Sequence, residues 1–201
     1  TVVERAATAP AIDGEIKTGE WPGKLLTLDR EPARYAVGGS PTLAKFAYDD
    51  QYLYVSANVT LFGPAKVSTN SVWGQDDGVE LCVAGRTPDG QPATFVVRGF
   101  AGGALQSATD AGAPAAAAER LAKETRFAVK PAGGPGGGLF GKGWRGEWAL
   151  PLAALGLKPE PGLTFGFNMA AFYSEFSEWH CLEGTGAENW RLDQAATLRF
   201  K

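Results

Sequence analysis

Histidine, methionine and cysteine are nearly absent: 201 residues include one His, one Met and two Cys. A zinc site built on several His or Cys cannot be assembled from so few ligands. Any Ser-His-acid triad would have to use His180. A surplus of one charge is lacking too, since 19 Lys plus Arg face 22 Asp plus Glu for a net −3. That balance argues against nucleic acid as a partner, because phosphate binding needs an excess of Lys and Arg on one face. There is no apolar run long enough to span a bilayer and no charged-then-apolar leader, so the chain starting at Thr1 reads as a mature or excised piece without a membrane span.

Turn-formers and aromatics are plentiful. With 27 Gly, 13 Pro, 44% hydrophobic residues and six Trp, the composition suits short strands joined by loops around one core, and residues 1–201 read as a single domain. Cys82 and Cys181 permit one bridge. Two readings stand for them, buried thiols in a reduced protein or one disulfide in an exported one.

Alternation with period two dominates the chain. In the stretch 52–59, Leu53, Val55, Ala57 and Val59 share one face while Tyr52, Tyr54, Ser56 and Asn58 share the other. A preceding strand at 43–48 is separated from it by the turn Asp49-Asp50-Gln51. Further strands are expected at 78–84, 93–100, 126–129, 144–150, 164–173 and 195–200. The predicted class is all-β, a two-sheet antiparallel β-sandwich of jelly-roll or immunoglobulin-like kind, with one or two short helical turns. One turn is expected at Pro151-Leu152-Ala153-Ala154-Leu155-Gly156, and a second short helix at 111–121. The Gly-rich run 131–138 reads as a long hairpin loop.

Two segments carry candidate chemistry. In Trp73-Gly74-Gln75-Asp76-Asp77-Gly78-Val79-Glu80-Leu81-Cys82, a strand that buries Val79 and Leu81 turns Glu80 to the opposite face of its sheet. A mid-strand carboxylate accepts sugar hydroxyls, and a nearby Trp ring covers the apolar face of a pyranose. The plain alternative gives Asp76 and Asp77 turn hydrogen bonds and leaves Glu80 in solvent. The second segment, 177–191, holds Trp179, His180, Cys181 and Trp190 in a stretch too polar and Gly-broken for a strand. Its Trp rings either cap the end of the fold or stack on a ligand. Trp144 and Trp148 sit at even spacing on one strand face and go to the scaffold, as does Trp21.

A family resemblance covers nearly the whole chain. Its motifs are Ala11-Ile12-Asp13-Gly14-Glu15 with Glu20-Trp21, then Ala47-Tyr48-Asp49-Asp50-Gln51-Tyr52-Leu53-Tyr54-Val55, then the run from Trp73 to Leu81. Trp148-Ala149-Leu150-Pro151, Gly166-Phe167-Asn168 and Asn189-Trp190-Arg191 follow in order. In this order and spacing the sequence resembles carbohydrate-binding module family 9, a β-sandwich family related to DOMON-type domains. The resemblance implies Trp73 and Trp190 as a clamp on one sugar unit, often at the reducing end of a glycan, and Glu80 as a hydroxyl acceptor. Arg98, Asp77 and Trp179 complete the candidate carbohydrate site. The expected partners are mono-, oligo- or polysaccharides and a larger glycan-active polypeptide, and the expected location is secreted, periplasmic or cell-surface.

Departures from the family pattern are local. One extra residue separates Gln75 from Val79, Val96 stands where binders have Arg, and Ala170 stands where binders have a polar side chain. No catalytic residues are assigned. Structural calcium is implied by the resemblance through Asp49, Asp50, Asp76 and Asp77, although Leu61 replaces an expected acidic residue. Three other functions compete: a structural interaction module with a dead pocket, b-type haem between Met169 and His180, and a glycosidase using Glu147, Glu175 or Glu183.

Overall fold

The computed structural model describes residues 1–33, 35–36, 42–61, 65–132, 142–186 and 188–201. In chain order its elements are β1 (Val2–Arg5), β2 (Leu26–Leu28), β3 (Thr42–Tyr48), β4 (Tyr52–Leu61), β5 (Gly78–Arg86), β6 (Pro92–Phe100) and β7 (Leu105–Ala108). They continue with α1 (Ala115–Glu124), β8 (Arg126–Pro131), β9 (Lys142–Pro151), β10 (Thr164–Tyr173), β11 (Glu178–Cys181), a 3-10 turn (Leu192–Gln194) and β12 (Ala196–Phe200). The fold is all-β apart from the short helix and turns. All eight strands expected from alternation are present, and residues 133–138 of the expected hairpin loop lie outside the described residues.

Hydrogen bonding links the strands in the order β7-β6-β5-β10-β12-β1-β3-β4-β9-β8, with β11 on β10 and β2 on β3. One strand departs from the expected antiparallel pairing. β1 pairs in parallel with both β12 and β3, so one short strand fastens the two halves into a continuous path. Period-two side chains explain what lies between the halves. Val55 and Val59 of β4, Trp144 and Trp148 of β9, Leu81 and Val83 of β5, and Phe167 and Met169 of β10 all enter one core. Phe46 meets Phe167 edge-on at 5.1 Å, and a Cβ on Gly99 of β6 would strike the Trp148 indole at 2.6 Å. Glycine at 99 therefore lets the two halves close on each other.

The helix falls a few residues beyond the expected 111–121. Pro114 holds its entrance, Leu121 is its fully buried anchor, and the Thr125 hydroxyl donates to the Leu121 carbonyl at 2.7 Å where the chain turns extended. The Pro151 turn forms as read, with Ala154 and Leu155 amides donating to the Pro151 carbonyl.

Packing corrects two further expectations and decides between the two readings of the cysteines. The stretch around Trp179 does contain a strand, because Trp179 to Cys181 add to the free edge of β10. Cys82 and Cys181 are both free and buried. They pair with Asn168 and Ala170 from opposite sides of β10, and two strand spacings of about 9.6 Å already exceed the ~7 Å limit for a bridge. Glu147 is fully buried rather than a surface residue, whereas Glu175 and Glu183 are exposed.

Among the described residues no three His, Cys, Asp or Glu side chains converge as a metal site. Asp49 instead accepts from the Gln51 and Tyr52 amides and the Tyr54 hydroxyl, and Asp76 from Ser68, Asn70 and the Val72 amide. Both carboxylates are thus engaged by hydrogen bonds from their own segments. Met169 is fully buried among apolar side chains of the core, and the His180 ring packs on Tyr173 at 4.2 Å. Among the described residues no helix is long and apolar enough to cross a membrane.

Candidate carbohydrate site

The outer face of β6-β5-β10-β11 is set by register. Arg98, Glu80, Ala170 and Cys181 form one row across the four strands, and Phe100, Gly78, Phe172 and Trp179 form the next. Because Leu81 and Val79 fill the core, alternation turns Glu80 outward, as its sequence neighbours require.

A cleft of about 440 Å³ opens above these rows. Trp73, Trp179 and Trp190 stand in its walls, and Glu80, Arg98, Asp110, Ala170, Cys181 and Asn189 are among its other lining residues. Its polar floor is one connected network. Arg98 donates from Nε to Glu80 Oε2 at 2.7 Å and from Nη2 to Asp110 Oδ2 at 2.5 Å. Asn189 Nδ2 donates to Glu80 Oε1 at 3.1 Å and lies 3.3 Å from Cys82 Sγ. Glu80 is 1% exposed, so its charge is tolerable only because a guanidinium and an amide meet it. Burial, with Glu80 nearby, pushes the Cys82 thiol well up, and burial pushes Cys181 up to about 12. Both therefore stay neutral.

The aromatic wall is packed in advance. The Trp73 ring meets Trp179 at 5.1 Å and 73°, and Trp179 rests on Phe172 at 4.6 Å. The Arg98 guanidinium lies 5.2 Å from the centre of the Trp73 ring, a cation–π contact on the same residue that neutralises Glu80. Glycine at 78 leaves the space, since a Cβ there would come within 3.1 Å of Phe100 and 3.3 Å of Trp73. Among the described residues Trp190 makes no ring–ring contact, so its ring is tied to neither of the other two.

Side-chain clamps hold the loops that carry these rings. Asp76 gathers Ser68, Asn70 and Val72 beneath Trp73, and the hydrogen bond from Ser68 holds its carboxyl below the usual range. Asp77 accepts from the Ser68 amide and the Ser174 hydroxyl, and burial raises its pKa. It is fully buried and outside the cleft lining, so the structure places it under the site as a fastener. Asn168 accepts from the Glu183 amide at 3.1 Å and donates to the carbonyls of Glu183 and Asn189, which pins the loop that presents Trp190.

Five of the six residues expected at the site, Trp73, Glu80, Arg98, Trp179 and Trp190, thus meet in one cleft. Val96, the departure from the family's Arg, is fully buried beside Cys82, away from the opening. Asp110 and Asn189 were not expected. Asp110 lies in the loop before α1 with no local pattern to mark it, whereas Asn189 stands directly before Trp190 in a motif already noted.

The fold that carries this cleft has counterparts. A family 9 carbohydrate-binding module from Caldicellulosiruptor kristjanssonii in complex with cellotriose superposes with a TM-score of 0.68 at 18% identity, covering 100% of this chain and 94% of that one. The chain has the fold of a family 9 carbohydrate-binding module. A family 9 module from the same organism with glucose gives 0.67 at 20% identity, covering 100% and 96%. A candidate carbohydrate-binding protein from Bacteroides uniformis gives 0.65 at 16%, covering 100% and 98%. No protein-family profile and no curated protein matches the sequence. At such identities the likeness of this family 9-like domain to its neighbours is one of fold, and the side chains of the cleft must speak for themselves.

Proposed function

We propose that the chain is a non-catalytic carbohydrate-binding module that holds one sugar unit between the Trp73–Trp179 wall and Trp190, over the Glu80–Arg98 pair. The two halves of the strand path act as the layers of a sandwich that carries this site on one face. One observation supports the reading above all others: three partly exposed Trp surround a cleft whose floor is a connected polar network. Aromatic faces cover the C–H patches of a pyranose, and fixed carboxylate, amide and guanidinium groups read its hydroxyls. Among the described residues that line the cleft the carboxylates are Glu80 and Asp110, and both meet the same guanidinium, Arg98. Attachment to a polysaccharide-active polypeptide and an exported location belong to the same proposal, since that is where polymeric sugar is met.

Calorimetry with glucose, cellobiose, xylo-oligosaccharides and other reducing sugars tests it. We expect saturable binding to at least one of them, weakened strongly by Trp73→Ala and by Trp190→Ala. Undetectable binding across the panel, or full binding by both variants, would sink the assignment in favour of a structural module.

A further inference from the structure

The charge inside the cleft is unequal. Among the described residues that line it, the charged ones are Glu80, Arg98 and Asp110, two carboxylates against one guanidinium. Two of the five N–H groups of Arg98 already point at those carboxylates, and its face is turned to the Trp73 ring at 5.2 Å. Its charge is therefore overbalanced, and a ligand carboxylate entering the cleft would meet a net negative floor.

The acceptors are also unequal. Glu80 is buried, with Oε2 on Arg98 and Oε1 on Asn189. Asp110 is different: its side chain is 44% exposed, and it meets Arg98 through Oδ2. A carboxylate has lone pairs for about four donors, so acceptor capacity remains on this exposed side chain, which lines the cleft. The walls add to the same preference, because Trp rings attract cations through their faces.

We propose, building on the sugar-binding reading above, that the cleft favours amine-bearing sugars, with Asp110 as partner of the ammonium, and rejects sugars that carry a carboxylate. Neutral sugars fall between the two. Asp110 then sets which sugar is chosen, while the Trp walls and the Glu80–Arg98 pair set that a sugar is bound at all.

Matched sugars separate these roles. Glucose, glucosamine and glucuronate, with their galacto counterparts, would be titrated into the whole chain by calorimetry at mildly acidic pH, where the amine is protonated and the uronate ionised. The expected order is glucosamine about three-fold tighter than glucose, and glucuronate at least ~10-fold weaker, with the advantage of the amine shrinking as salt is added. In Asp110→Asn, which keeps an acceptor for Arg98, both ratios move towards one, and Asp110→Ser should do the same. Glucuronate binding as well as glucose, or ratios unchanged in both variants, would overturn this inference while leaving sugar binding intact. Failure of all six sugars to bind would instead remove the sugar-binding reading itself, and this inference with it.

Discussion

Two glutamates occupy outward-facing positions in the middle of strands, one in each half of the molecule, and both are buried: Glu80 is 1% exposed and Glu147 is 0% exposed. Over Glu147 lies the chain itself. The Asp13 and Gly14 amides donate to its Oε2 at 3.0 and 2.7 Å, and Trp21 packs with Ile12, Ile16 and Ala149 around it. Gly14 has φ +79° and a Cβ there would strike Val129 and Lys130, so only glycine allows the amide to approach. Over Glu80 lies the cleft, and its carboxylate is met by side chains from β6 and the Trp190 loop. The same carboxylate position thus closes a face when backbone amides cover it and keeps a face open when side chains flank it. What differs is the supply of donors: backbone N–H groups cannot be exchanged for a ligand, whereas side-chain partners leave room for one.

The largest expected effect breaks the closed half. Glu147→Ala strands two N–H donors, one fully buried, and should lower unfolding stability by about 3 kcal/mol, read from urea denaturation. Sugar affinity of the folded fraction should barely change. A loss below ~1 kcal/mol would show that water replaces the carboxylate and that this face is not fastened as described.

Next in size is the matching change in the open half. Glu80→Gln removes a buried charge from Arg98 and should weaken sugar binding about 10-fold, or ~1.4 kcal/mol, by calorimetry. Undiminished affinity would detach Glu80 from the ligand and make the two glutamates alike after all.

A smaller effect belongs to His180, which lies beneath the cleft half on β11. It is 2% exposed, among the described residues neither ring nitrogen has a hydrogen-bond partner, and the Glu178 carboxylate stays 3.7 Å away. Burial holds its pKa below the ordinary 6.5 despite that carboxylate. The unfolded chain then takes up the proton first, so the stability from this group is present above 6.5 and is lost as pH falls towards the depressed value. A decline in stability below pH 6.5 is expected, abolished in His180→Gln. An equal decline in the variant would place the acid sensitivity elsewhere.

The sequence's legibility followed the same divide. Strand positions were readable because a two-residue period survives any tertiary arrangement, and with them the outward turn of Glu80 between Val79 and Leu81. Trp73 and Trp190 could be brought together only by the family resemblance, since their numbers differ by 117 and no local pattern joins them. Asp110 escaped because its role depends on Arg98 reaching it across β6. Glu147 escaped for the opposite reason: outward alternation predicts solvent, and only the long-range return of Asp13 and Gly14 buries it. The strand at Trp179 was hidden because a free edge of β10 accepts even a polar partner.

The smallest expected effect is also the sharpest test of the fastening carboxylate. Burial raises the pKa of Glu147 above its ordinary 4.5, against the hydrogen bonds from Gly14 and Asp13, and the charges of Asp13 and Glu20 push the same way as burial. The folded chain therefore holds this proton more readily than the unfolded chain does. Its stabilising share is complete below 4.5 and is lost as pH rises through the raised value, the reverse of the slope from His180. Glu147→Gln keeps an acceptor oxygen for the two amides and cannot titrate. Stability at neutral pH should move by less than about 1 kcal/mol, while the decline just above pH 4.5 becomes shallower. Asp77, raised by burial in the other half, adds a share of the same sign, and Asp77→Asn identifies that share. A slope untouched by Glu147→Gln but reduced by Asp77→Asn would mean that the covered carboxylate does not titrate in this range.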